Sequence, residues 1–151
     1  MSKWEIQNPQ YEEWVRESFA SNPFLNTIGA EIRKLIPGYA EIRLPYRKDL
    51  AQQQGYLHGG VITAVLDSAC GYAALTLMPE SSVVLAVEFK INLLSPARGG
   101  DLVACGRVIK PGGTIWVCQG EASVRSRGAD SLVAAMQATM IAVLNREGLA
   151  E

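Results

Sequence analysis

The period of the hydrophobic pattern changes along the chain, and each change predicts an element. From Asn8 to Ser21 the apolar residues Tyr11, Trp14, Val15 and Phe19 fall on one face at helical spacing. Asn8-Pro9 offers a capping side chain and a first-turn proline, and Glu12 and Glu13 suit the positive end of a helix dipole. A helix is therefore expected to start here and to end near Ser21-Asn22-Pro23. Its aromatic stripe predicts a packing face. Thr27 to Ile36 and Tyr39 to Leu44 predict two strands around the turn dipeptide Pro37-Gly38. In the second, Ala40, Ile42 and Leu44 alternate with Glu41 and Arg43, which leaves one face buried and the other wet.

A polar connection from Arg47 to Gly55 leads to Val61–Met78, a run apolar nearly all round, as in a helix buried on most sides. Its length approaches that of a membrane span. Asp67 in its middle, Gly71 and the absence of flanking basic residues argue instead for burial by sheet. Alternation then returns: Val87, Phe89, Ile91 and Leu93 against Glu88, Lys90 and Asn92 within Val83 to Leu94. Leu102 to Ile109 and Thr114 to Arg125 flank the hairpin signal Pro111-Gly112-Gly113, and Ser131 to Leu144 closes the series. The expectation is an α+β fold in which a six-stranded antiparallel sheet, its last four strands in a meander, wraps a long central helix. With no repeat or linker in view, residues 1–151 read as one domain, of which about 1–26 form an N-terminal helical extension.

Composition excludes more than it assigns. Fourteen basic and fifteen acidic side chains give a formal net charge of -1, and no basic stripe appears, so nucleic acid is not expected as a partner. Cys70, Cys105 and Cys118 are widely spaced in apolar segments, which predicts buried free thiols in a reducing compartment rather than a metal site. The N-terminus shows no basic region followed by an apolar core, so a cytoplasmic location is expected.

The candidate chemistry gathers at the head of the central helix. Gly59-Gly60 places residues without side chains where helix amides lack internal partners, so a ligand can approach the backbone and an oxyanion can be held there. A tight loop-to-helix turn explains such a pair as well. Asp67 is the one carboxylate of the helix and must find partners, stay partly wet or hold its proton. Its expected neighbours on one face, Gly60, Thr63, Ala64, Cys70, Gly71 and Ala74, are small and leave room for a substrate or a water. A structural acid bonded to Thr63 or to a backbone amide fits the same pattern. His58, the only histidine, lies nine positions before Asp67, roughly 13 Å along a helix axis. If both are catalytic, a second subunit related by twofold symmetry is the simplest way to bring them together.

Leu57-His58-Gly59-Gly60 before an apolar helix, Asp67 nine positions after the histidine, and Asn92-Leu93-Leu94-Ser95-Pro96-Ala97-Arg98 resemble, in this order, the hotdog-fold acyl-CoA thioesterases. The nearest likeness is to the phenylacetyl-CoA thioesterase-like branch, related to the hydroxybenzoyl-CoA thioesterases of the Arthrobacter type. The resemblance runs from about Ile28 to Leu144. It implies hydrolysis of an acyl-CoA, with an aromatic or medium-chain acyl group, at a site between two subunits of a dimer or a dimer of dimers, without a cofactor or metal. The Gly59 amide would polarise the thioester carbonyl, His58 would position it, and Asp67 of the partner chain would be general base or nucleophile. Gln52 stands where the family often has Asn, and Ala86 where some members carry a hydroxyl that orients water. Gly60 and Ser68 would line the substrate site, with Arg98 and, more weakly, Lys110 as phosphate partners. A dehydratase or hydratase on the same fold and a non-catalytic acyl-CoA-binding module remain as alternatives.

Overall fold

The computed structural model describes residues 4–144. Two short helices, α1 (Tyr11–Ala20) and α2 (Pro23–Ile28), precede strands β1 (Glu31–Ile36) and β2 (Tyr39–Leu44). A single 3-10 turn at Lys48–Leu50 leads to the long helix α3 (Gly59–Leu75). Strands β3 (Ser82–Leu93), β4 (Asp101–Lys110), β5 (Ile115–Arg125) and β6 (Asp130–Leu144) follow. All pairings are antiparallel, and α3 packs on one face of the six-stranded sheet, which is the hotdog architecture that the resemblance implied. Among the described residues no helix is long and apolar enough to cross a membrane.

The N-terminal region departs from the pattern in two places. Asn8 does not cap α1: its Oδ1 accepts from the Gln10 N–H at 2.9 Å, and Gln10 is the residue that flanks the helix. α1 ends at Ala20 with Ser21 as its C-cap, as expected, but Asn22-Pro23 also starts a second helix that the pattern did not show. Asn22 Oδ1 accepts from the Leu25 N–H at 3.1 Å, Pro23 occupies the first helical turn, and Gly29 at φ +77° ends α2. The strand expected from Thr27 therefore begins only at Glu31.

Strand order is β1-β2-β4-β5-β6-β3, so the last four strands are not a simple meander. β4, β5 and β6 form one, whereas β3 pairs with β6 at the far edge. The segment from Leu94 to Gly100 must then cross three strand spacings to reach β4, roughly 14 Å, which a seven-residue connection spans. Alternation reports which face a residue occupies; it does not report which strand lies beside it.

The middle of the sheet holds a pair of glycines that lets the helix sit close. Gly106 and Gly120 lie opposite each other on β4 and β5. A Cβ at Gly106 would lie 2.3 Å from the Ala69 backbone, and one at Gly120 would lie 2.7 Å from Leu66 Cδ1. Backbone of sheet and helix meet directly at that point. Ile62, Val65, Leu66, Ala69, Cys70 and Ala73 of α3 are buried, as its all-round apolar character required. At the helix end the buried Thr76 accepts from the Gly38 N–H at 2.7 Å and donates to the Ala73 carbonyl at 2.6 Å, tying the β1–β2 turn to α3. Of the free thiols, Cys70 and Cys118 are buried as expected, and burial pushes Cys118 up to about 12. Cys105 is only half-buried, with the Tyr39 hydroxyl 3.2 Å from its sulfur.

Candidate active site

The entrance to α3 is built by a loop that closes on itself. Ala51 bridges Leu57, the Gln52 N–H donates to the Tyr56 carbonyl at 2.8 Å, and the Gly55 N–H donates to the Gln52 carbonyl at 2.9 Å. The Leu57 N–H donates to Ala97 at 2.9 Å, which fixes this loop to the β3–β4 connection. His58 thereby becomes the N-cap of α3, its Nδ1 accepting from the Gly60 N–H at 2.9 Å. That bond leaves the ring proton of a neutral imidazole on Nε2. A Cβ at Gly60 would come 3.0 Å from Nδ1, so the absence of a side chain is what lets the imidazole fold over the helix end. With the Gly60 amide taken, the Gly59 N–H is left without an acceptor among the described residues, at the positive end of the helix.

Two turns on, Asp67 faces a cavity of about 980 Å3 between α3, the start of β3 and the helices α1 and α2. Its Oδ1 is buried and has no hydrogen-bond partner among the described residues. Burial without a compensating partner holds its carboxyl above the ordinary carboxylate range. Thr63, expected as a structural partner, donates instead to the Gly59 carbonyl at 2.7 Å. The face presented to the cavity is also rotated from the one expected. Ser68, Gly71, Tyr72 and Leu75 share it with Asp67, whereas the Cys70 sulfur lies toward Gly120 in the sheet. The cavity face is consequently part bulky and part polar.

The remaining candidates divide into two groups. Ala86 and Ser68 line the cavity with Asp67. Gln52, His58 and Gly59 stand at the other end of the helix, where the Arg98 guanidinium lies 5.7 Å from the centre of the Tyr56 ring. Gly59 and Asp67 are eight residues apart, roughly 12 Å along the axis, so one chain does not unite them. Lys110 ends β4 while Arg98 precedes its start, which places them at opposite ends of that strand. The pattern missed several lining residues, Trp14 and Tyr72 among them. Trp14, assigned with Val15 and Phe19 to a packing stripe, packs against the core as expected and also lines the cavity, its buried Nε1 without a partner among the described residues. Tyr72 sits one turn beyond Ser68, and only the docking of α1 and α2 over it reveals its place.

Residues 54–129 match the family model described as the thioesterase superfamily. A solved thioesterase family protein from Silicibacter pomeroyi superposes with a TM-score of 0.87 at 45% identity, covering 89% of this chain and 99% of that one. The chain belongs to the thioesterase superfamily. A provisionally named esterase from Saccharolobus solfataricus is 37% identical over 98 residues, and the chain spans 65% of that relative's length. The 1,4-dihydroxy-2-naphthoyl-CoA hydrolase of Listeria monocytogenes is 30% identical over 86 residues, 57% of this chain and 70% of that protein.

Proposed function

We propose that this protein hydrolyses acyl-CoA thioesters to a free acid and CoA at a site shared between two chains. The observation that carries the reading is Asp67, a carboxylate with one oxygen buried and unpartnered, facing a cavity large enough for an acyl group. A carboxylate held above its ordinary range is a stronger base at neutral pH than an exposed one. Ionised, Asp67 either draws a proton from water as that water attacks the thioester carbon, or attacks the carbon itself. The negative charge that develops on the carbonyl oxygen would be met by the Gly59 N–H at the helix N-terminus. His58 would donate from Nε2 to position the carbonyl, and Gln52 lies on the loop that opens the helix. The tetrahedral intermediate expels the CoA thiolate, which takes up a proton and leaves as the thiol. If Asp67 is the nucleophile, water then hydrolyses the resulting acyl-aspartyl anhydride to the free acid and restores the carboxylate.

The geometry of β3 supports two chains. A Cβ at Gly59 would meet Leu93, one at Gly71 would meet Val84, and Asp67 shares its cavity with Ala86, so α3 runs antiparallel along β3. Pairing β3 with its copy about a twofold axis near Phe89 and Lys90 would set Leu93 of one chain opposite Ala86 of the other. Gly59 of one chain would then approach Asp67 of its partner. Val87, Phe89 and Leu93 are 56%, 41% and 56% exposed in the single chain, which is the apolar edge such pairing would cover. Arg98 with Tyr56 offers a cation and a ring face for the nucleotide end of CoA, on the same side as the helix entrance. With alanine at position 86, Ser68 is the hydroxyl next to Asp67 in the cavity; Ser82 donates to the Pro79 carbonyl at 2.7 Å and is committed there.

The test is release of free thiol from a panel of aromatic and medium-chain acyl-CoAs by the purified protein. Asp67→Ala is expected to reduce turnover by at least about a hundredfold with the fold intact. Unchanged activity in that variant would remove the mechanism. Tight binding of acyl-CoA without turnover would favour a binding module, and elimination of water from a 3-hydroxyacyl-CoA without thiol release would favour a dehydratase.

A further inference from the structure

The part of the cavity farthest from the helix entrance is polar, and the N-terminal helices make it so. Tyr72 is 6% exposed, buried under α1 by its tilted contact with Phe19 at 5.5 Å between ring centres. Its hydroxyl receives a long bond of 3.5 Å from Asn22 Nδ2. Asn22 cannot turn its amide over to improve this, because its Oδ1 caps α2 through the Leu25 N–H. Ser18 stands beside the same hydroxyl, and with Asn22 it opposes the rise that burial imposes on the Tyr72 phenol. Trp14 walls the same region with an indole N–H that has no acceptor among the described residues. Asn22 and Ser18, both half-buried, thus converge on the buried Tyr72 hydroxyl, where loosely met hydrogen-bonding capacity carries a cost. Glu17 and Phe24 lie at the exposed rim.

We infer that Tyr72, Asn22 and Ser18 read an oxygen substituent at the distal end of the acyl group, making the N-terminal helices a specificity element of the site. This rests on the hydrolase reading above and deepens it. Asp67 and Tyr72 are five residues apart, roughly 7.5 Å along the helix axis, a span that suits one aryl ring or a short alkyl chain between thioester carbon and distal oxygen. A hydroxyl or keto oxygen there accepts from Tyr72 and Asn22, and a hydroxyl can also donate to Ser18. The Trp14 indole supplies an apolar wall for the body of the group. None of Trp14, Ser18 and Asn22 lies within the span matched by the family model, residues 54–129. They are where this chain can differ in substrate from other members.

The test compares matched acyl-CoAs with and without the distal oxygen, such as phenylacetyl-CoA against its 4-hydroxy form and hexanoyl-CoA against its 6-hydroxy form. The wild type is expected to favour the oxygenated member by roughly three- to tenfold in kcat/KM. Tyr72→Phe should bring that ratio close to one. Asn22→Asp keeps the α2 cap while removing the donor, and should lower the ratio as well, so a folding defect at Tyr72 would not decide the matter alone. Equal rates in the wild type, or a ratio unmoved by both variants, would overturn the inference. Calorimetry with the non-hydrolysable thioether analogues reads the same preference without turnover. Preferential binding of the oxygenated analogue by a protein that hydrolyses nothing would keep the reading residues and refute the hydrolase assignment; hydrolysis without preference would do the reverse.

Discussion

The two edges of the sheet are built to opposite specifications. β1 is six residues long, is interrupted by an irregularity between Ile32 and Lys34, and sets Glu31, Arg33 and Lys34 along its length. Short length, irregularity and charge are the features that keep an edge strand from pairing with another chain. β3 is twice as long and presents Leu85, Val87, Phe89 and Leu93 to solvent, with Glu88 and Lys90 as its interleaved charges. It also has a bulge, between Ala86 and Glu88, so irregularity alone does not separate the two edges. Length and apolar exposure do. The unprotected edge reaches both halves of the candidate chemistry, Leu93 lying against Gly59 and Ala86 lining the same cavity as Asp67. An apolar edge left open beside the proposed site is the physical case for the two-chain reading.

The largest effect should come from closing the β3 edge to partners. Phe89→Lys is expected to separate the chains in light scattering and to take thioester hydrolysis to background, a loss of at least about a thousandfold if both halves of every site are lost. Arg33→Glu on β1 should alter neither the mass in solution nor the rate by more than about twofold. An active monomer would break the contrast between the edges. Asp67→Asn comes next, with a loss of at least about a hundredfold while the assembly persists. Mixing chains sharpens the point further. Asp67→Asn and Gly59→Val subunits, each inactive alone, should recover about a quarter of wild-type activity on exchange, since half the dimers are then mixed and each carries one intact site. No recovery would place both residues of a site in the same chain.

The smallest effects concern pH. Because burial raises the Asp67 pKa, the acid limb of kcat/KM should lie above the range of an exposed carboxylate and vanish in Asp67→Asn. The sign for stability is opposite. The folded protein holds this proton more tightly than the unfolded chain, so the contribution favours folding at low pH and is withdrawn as pH rises through the folded value. Asp67→Asn should therefore be more stable than the wild type by roughly 1 kcal/mol at pH 8, with the gain shrinking toward pH 4 in thermal melts. A variant less stable than the wild type at every pH would mean that Asp67 is a structural acid.

Pattern alone determined a good deal of this protein. The helix from Gly59 was legible because an apolar run of that length, broken by one carboxylate, suits burial by sheet, and β2 to β6 were legible from alternation and turn residues. The glycine pair, His58 and Asp67 stood out as chemistry because glycine, histidine and a lone acid are rare on an apolar helix. Tertiary structure decided the rest. It moved β3 to the edge, because strand order is set by which partner satisfies the backbone and not by the side-chain period. It added a second helix at Asn22-Pro23, directly after the expected end of α1, since the same residues can follow one helix and start another and only the next turn tells. It assigned Gly106 and Gly120 to the contact with α3, which requires knowing that two strands distant in sequence meet under one helix. It also placed Trp14 and Tyr72 around the Asp67 cavity, because a cavity belongs to the packing of elements and leaves no period in any one of them.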